Sequence, residues 1–165
     1  MKKSQGIILF KKEDKKIYFL LAKNNLVTVN KNNSLYSDIC SYENVYNTFI
    51  DNTFGLVFSS NELKYIDAKN YHNSKYNYEI MFINANVSND TLSKINKIRS
   101  YFNSNYNNNS NGIVKKDDTN YNFLTSEDIK WFELSEILEN PNNFENKFLN
   151  TFLKSIKNEV ISVNL

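Results

Sequence analysis

Residues 41–56 read SYENVYNTFIDNTFGL, from Ser41 to Leu56. Apolar side chains at Tyr42, Val45, Tyr46, Phe49 and Ile50 recur at helical spacing. Ser41 can cap the start of a helix and Gly55 can supply the left-handed turn that stops it, which predicts a helix over Tyr42–Phe54. Leu56–Phe58 then reads as extended. The segments on either side decide what this helix packs against.

Upstream, Gly6–Phe10 (GIILF) and Ile17–Ala22 (IYFLLA) are apolar runs of strand length joined by the polar stretch KKEDKK, which predicts a hairpin. Leu26–Val29 reads as a third strand, and Lys31–Cys40 as a loop in which Asn32, Asn33 and Ser34 form turns. Downstream, Leu63–Ala68 and Tyr78–Val87 read as strands separated by the polar turn KNYHNSKYN, the second patterned for burial on both faces. Asp90 can cap a helix reaching about Phe102, with Leu92, Ile95 and Ile98 along one side. The Asn-rich stretch at 103–112 lacks periodicity and reads as a mobile loop. Asn120–Phe123 and Asp128–Phe132 read as short extended pieces, and Ser135–Glu139 as one helical turn stopped before Pro141. A final helix over Pro141–Lys157 presents Phe144, Phe148, Leu149, Phe152, Leu153 and Ile156 as an apolar stripe. This order predicts one mixed α/β domain over residues 1–165. Val45, Phe49 and Ile50 should face a mixed sheet built from Gly6–Phe10, Ile17–Ala22, Leu63–Ala68 and Tyr78–Val87.

Composition supports a sizeable core: 41% of the residues are hydrophobic and 15% aromatic. The chain has three Gly, one Pro and a single arginine, Arg99, beside abundant Asn, Lys, Ile, Tyr and Phe. That skew fits an A/T-rich genome, such as that of a large DNA virus. It erodes Gly and Arg motifs without functional cause, but Glu codons survive it, so a missing Glu is the more informative absence. A net charge of +2 lacks the strong basic excess usual in nucleic-acid binders. Lys11, Lys12, Lys15 and Lys16 read as a solvated hairpin turn, with a phosphate-contacting patch as the alternative. Cys40 is the only cysteine and His72 the only histidine, so no internal disulfide or zinc-ligand spacing exists. No apolar run approaches membrane-spanning length, and an intracellular setting, cytoplasmic or virion-associated, is the expectation.

Taken in order, these segments resemble the Nudix hydrolase family. GIILF–turn–IYFLLAKN resembles its opening hairpin, LKYIDAKNYHNSKYNYEIMFINANV the strand pair after its catalytic helix, IKWFELSEILEN its late aromatic stretch, and NKFLNTFLKSI its closing helix. The resemblance implies a Nudix-like α/β/α sandwich with a mixed β-sheet. The family signature is a Gly, five residues, a Glu, seven residues, then Arg-Glu-hydrophobic-x-Glu-Glu-x-Gly-hydrophobic. Anchored on Gly55 and Leu56, Ser34 stands at the first glycine and Cys40 at the first glutamate. Thr48 and Phe49 stand at Arg-Glu, Ile50 keeps the hydrophobic slot, and Asn52 and Thr53 replace the Glu-Glu pair.

In the family, glutamates one turn apart converge on Mg²⁺ or Mn²⁺, which demand oxygen ligands, preferably charged. The metal polarises phosphate and activates water. Phe49 offers no oxygen, and Asn52 and Thr53 offer only neutral ones. Glu43 and Asp51 lie about 80° apart around the helix and about 12 Å apart along it, so they cannot chelate one ion together. Asp38, Glu79 and Glu127 are the other acids that could replace them. Lys23, at a strand end, is the candidate phosphate contact. Trp131 and Phe132 read as core, with stacking on a base as the alternative, and Tyr71 and Tyr76 read as turn aromatics.

The resulting expectation is a Nudix-fold pseudoenzyme without cofactor that binds a nucleotide, RNA or a protein partner, or serves as a structural subunit. The alternative is a divergent Nudix hydrolase of nucleoside-diphosphate-linked substrates, RNA caps included, that uses relocated carboxylates and Mg²⁺ or Mn²⁺. An unrelated α/β subunit is the third possibility.

Overall fold

Asp14 and Lys15 both adopt positive φ, 51° and 65°, between Glu13 and Lys16, which pair across the ladder. This two-residue left-handed loop matches strand twist and closes the hairpin expected at KKEDKK. A computed structural model describes residues 2–25, 34–108 and 128–162. The hairpin joins β1 (Ser4–Glu13) to β2 (Lys16–Asn25). Next come β3 (Ser34–Ser37), β4 (Ile39–Ser41), α1 (Val45–Thr53), α2 (Ser60–Tyr65), β5 (Lys69–Asn73) and β6 (Tyr78–Asn84). They are followed by α3 (Asn89–Asn108), β7 (Asp128–Glu133), α4 (Leu134–Glu139), a single 3₁₀ turn at Pro141–Asn143, and α5 (Asn146–Lys157).

The strands form one seven-stranded mixed sheet with the path β3-β2-β1-β6-β5. β4 pairs with β1, and β7 with β2. The β1–β6 pair is parallel and the others are antiparallel. Strand alternation divides the core in two. Ile8, Phe10, Phe19, Leu21, Ile80 and Phe82 face Phe148 and Phe152 of α5. Ile7, Leu9, Leu20, Ala22, Met81 and Ile83 face Val45 and Phe49 of α1, Leu63 of α2, and Leu92 and Ile95 of α3. Helices therefore cover both faces, and β6 is buried on both sides as its pattern predicts. Arg99 is buried on α3.

Several expectations need correction. The α1 helix begins later than predicted, because Asn44 rather than Ser41 caps it by accepting from the Asn47 amide at 3.1 Å. Phe54 is the first left-handed residue at its end, with Gly55 following at φ 69°. The Gly55 amide donates to Ile50 O at 3.0 Å, closing the turn. Leu56–Phe58 is not a strand. Leu63–Ala68 is not one either: Ser59 caps α2 by accepting from the Glu62 amide, and the helix turns Leu63 alone into the core. The sheet partner of β6 is instead β5, cut from the stretch read as a polar turn, leaving only residues 74–77 to turn. Tyr71 thus sits on a strand, and both Tyr71 and Tyr76 pack partly against the α5-side core.

Within Lys31–Cys40, residues 34–37 and 39–41 are strands rather than loop. Ser88 rather than Asp90 caps α3, accepting from the Thr91 amide. The α3 backbone stays helical through Asn108, since each added residue gains a hydrogen bond once a helix is nucleated. Leu26–Val29, 109–112 and Asn120–Phe123 lie outside the described residues. The final helix starts only at Asn146, capped by the Glu145 carboxylate; Pro141 opens the separate 3₁₀ turn.

Candidate functional site

The α1 helix lies on the sheet with Val45 and Phe49 inward, as its spacing requires, and Ile50 half-buried beside them. Phe49 is 1% exposed and its ring lies 6.2 Å from that of Phe58. Thr53 is fully buried, and its hydroxyl donates to Phe49 O at 2.8 Å. Asn52 is buried too, and its amide donates to Thr48 O at 2.8 Å. The Thr48 hydroxyl donates to Asn44 O at 3.1 Å. The polar side chains at the signature positions thus turn back onto their own helix and present no oxygen cluster outward. Gly55 is exposed, with open space where a Cβ would stand.

Among the described residues, the candidate acids named from the sequence are dispersed. Glu43 is exposed just ahead of α1, its main-chain amide donating to the Ser41 hydroxyl at 3.2 Å. Asp51 is half-buried on α1, and desolvation raises it above its ordinary carboxylate value. Glu79 accepts from the Gln5 amide at 2.8 Å and pairs with Lys3 at 3.8 Å. Asp38 lies on the α5 side of the sheet, opposite α1, where the Tyr78 hydroxyl donates to it. Glu127 lies outside the described residues. Among the described residues, no three His, Cys, Asp or Glu side chains are grouped so as to hold a metal ion. Magnesium or manganese does not fit what α1 offers: an aromatic ring, and neutral groups already hydrogen-bonded to their own helix.

Lys23 is also remote from α1. It extends from β2 on the α5 side, its ammonium 5.9 Å from the Tyr36 ring. Lys130 of β7 approaches the same ring at 5.2 Å and Phe132 at 4.9 Å. The half-buried Tyr36 therefore carries two cations, a grouping that the sequence hides because β7 is far from β2 and β3 in the chain. Phe132 is core, and Trp131 packs partly against the other core while its indole donates to Val87 O at 3.3 Å.

Two of the four hairpin lysines form ion pairs. Lys11 pairs with Glu13 at 3.2 Å and stands 4.5 Å over the Trp131 ring, and Lys16 pairs with Glu133 at 3.8 Å. His72 is exposed on β5, and Cys40 is exposed on β4. Among the described residues, no helix is long and apolar enough to cross a membrane. Compared with family models, curated proteins and solved structures, the chain matches none.

Proposed function

We propose that this chain is a Nudix-like α/β/α sandwich that has lost metal-dependent hydrolysis and serves as a binding module. The observation that carries the reading is on α1. Phe49 packs into the core, and Asn52 and Thr53 bond to their own helix, at the three helix positions where the family resemblance calls for glutamate. The order of strands and helices and the mixed sheet support the same reading.

A nucleotide or RNA is the ligand we favour. Tyr36, with Lys23 and Lys130 about it, offers a half-buried aromatic ring and two cations, groups that can contact bases and phosphates. A protein partner is the second reading. It is favoured by the outer side of the α1–α2 region, where Leu56 and Tyr65 are 44% and 86% exposed beside half-buried Tyr46, Ile50 and Phe54.

The test is equilibrium binding of nucleoside diphosphates and short RNA without divalent cation, alongside a turnover assay with Mg²⁺ or Mn²⁺. Binding that is weakened by Lys130→Ala, with no turnover, supports the nucleotide reading. Metal-dependent turnover overturns the proposal as a whole. Absence of both binding and turnover moves the weight to the protein-binding surface.

A further inference from the structure

The segment from Ser34 to Ser41 changes partner in mid-course. It pairs with β2 through Ala22 and Ser37, then with β1 through Ile7 and Ile39. The change occurs at Asp38, where β1 and β2 part. The Asp38 side chain turns inward over Gly6, and a Cβ at position 6 would collide with its carboxylate. From the far side of β1, Tyr78 of β6 donates its hydroxyl to the same carboxylate. Both residues are 1% exposed.

The start of α5 closes over this pair. Lys147 donates from Nζ to Ser4 Oγ at 2.9 Å and stands 4.7 Å over the Tyr78 ring and 5.4 Å from that of Tyr42. The Glu145 carboxylate accepts from the amides of Lys147 and Phe148, both at 2.9 Å, and the Glu145 amide donates to Tyr36 O, also at 2.9 Å. The titratable groups about Asp38 are therefore Tyr78 from β6, Cys40 from β4, Glu145 at the cap of α5 and Lys147 in its first turn. Tyr36 of β3 and Tyr42 after β4 border the cluster. The nearby cation is already engaged with Ser4, and the nearby anion opposes a second negative charge.

We propose that the buried Asp38–Tyr78 pair is a proton-dependent latch. With Asp38 neutral, it ties the strand switch between β3 and β4, and the start of α5 above it, to the sheet. Ionisation of Asp38 loosens that corner. A neutral carboxyl shares a hydrogen bond with Tyr78 at little cost, whereas a carboxylate buried beside Glu145 needs water or Lys147 to solvate it. Either remedy moves β4 or the first turn of α5.

Desolvation outweighs the hydrogen bond from Tyr78 and the charge of Lys147, and pushes Asp38 from 3.8 up to about 7. The folded value is raised, so the closed state is favoured at low pH and weakened as pH rises through neutrality. Between the ordinary carboxylate value and that raised value the opening equilibrium grows up to about tenfold per pH unit, and above it the equilibrium levels off.

The experiment is hydrogen exchange on the full chain between about pH 4.5 and 8, corrected for intrinsic amide rates. Segments 37–41 and 145–149 are compared with 129–133. The expected result is protection that falls with pH in the first two segments only, and a flat profile there in Asp38→Asn. Equal slopes in wild type and Asp38→Asn, or no slope in wild type, would overturn the proposal. Should Asp38→Asn fail to fold, Tyr78→Phe provides the second test. It removes a donor that favours the ionised form, so the transition should move to higher pH, and an unmoved or lowered midpoint contradicts the latch. Carboxyl carbon NMR of Asp38 reads the same titration directly: a midpoint near 7 supports the latch, and one below 5 overturns it.

Discussion

Thr53 donates its hydroxyl to the carbonyl of Phe49 at 2.8 Å, so two of the three positions where the family resemblance calls for metal-binding glutamates are bonded to each other. Both residues are buried against the sheet. The same packing that makes α1 stable turns both residues away from solvent.

Placing a carboxylate at position 49 should therefore cost stability. Phe49→Glu buries a charge among Ile7, Leu9 and Val45 and is expected to lose several kcal/mol. Phe49→Ala, which leaves only a cavity, is expected to lose about 3–5 kcal/mol. Urea unfolding of the two variants measures both.

The start of α1 offers a sharper structural check. Asn44→Ala removes the side-chain oxygen that accepts from Asn47 and should cost about 1 kcal/mol. Ser41→Ala, upstream of the helix, should cost clearly less. Equal losses in thermal or urea unfolding would return the cap to Ser41.

Asn96 of α3 grips the outer edge of β7 with both ends of its amide. It donates to Ile129 O at 3.0 Å and accepts from the Ile129 amide at 2.9 Å. Asn96→Leu strands both main-chain groups and should destabilise by about 1–3 kcal/mol. The Ile129 amide should exchange faster than its neighbours on β7.

Stability should also depend on pH through Asp38. Its value is raised from 3.8 to about 7, so the folded chain keeps a proton that the unfolded chain releases. Unfolding free energy should fall as pH rises across that window, with this group contributing a loss on the order of 4 kcal/mol in all and about 2–3 kcal/mol of it between pH 5 and pH 8. The difference between wild type and Asp38→Asn, measured by urea unfolding at pH 5 and pH 8, isolates the effect. Wild type should lose ground to the variant at pH 8.

Much of the fold is legible in local pattern. The β1–β2 hairpin follows from two apolar runs around a turn, and α5 from the spacing of Phe148, Leu149 and Phe152. The α2 helix is hidden because LKYI suits a strand, although Ser59 and Glu62 stand at the spacing of a helix cap. The short strands β3 and β4 are held by β2 and β1 rather than by any periodicity of their own. The Asp38–Tyr78 pair depends on three strands meeting, and no spacing along the chain announces it. Gly6 is its one local trace, a glycine inside an apolar strand, which marks a close approach from another group. The grouping of Lys23 and Lys130 at Tyr36 is likewise a product of topology.

Under the proposed reading α1 does not support metal-dependent hydrolysis, and turnover by the purified chain tests this directly. Nucleoside diphosphate derivatives, dinucleoside polyphosphates and capped RNA are incubated with millimolar Mg²⁺ or Mn²⁺, and released phosphate and nucleotide are measured. No release above the metal-only control is predicted. Robust release that Asp51→Asn or Glu127→Gln abolishes would contradict the account and place the chemistry on relocated carboxylates.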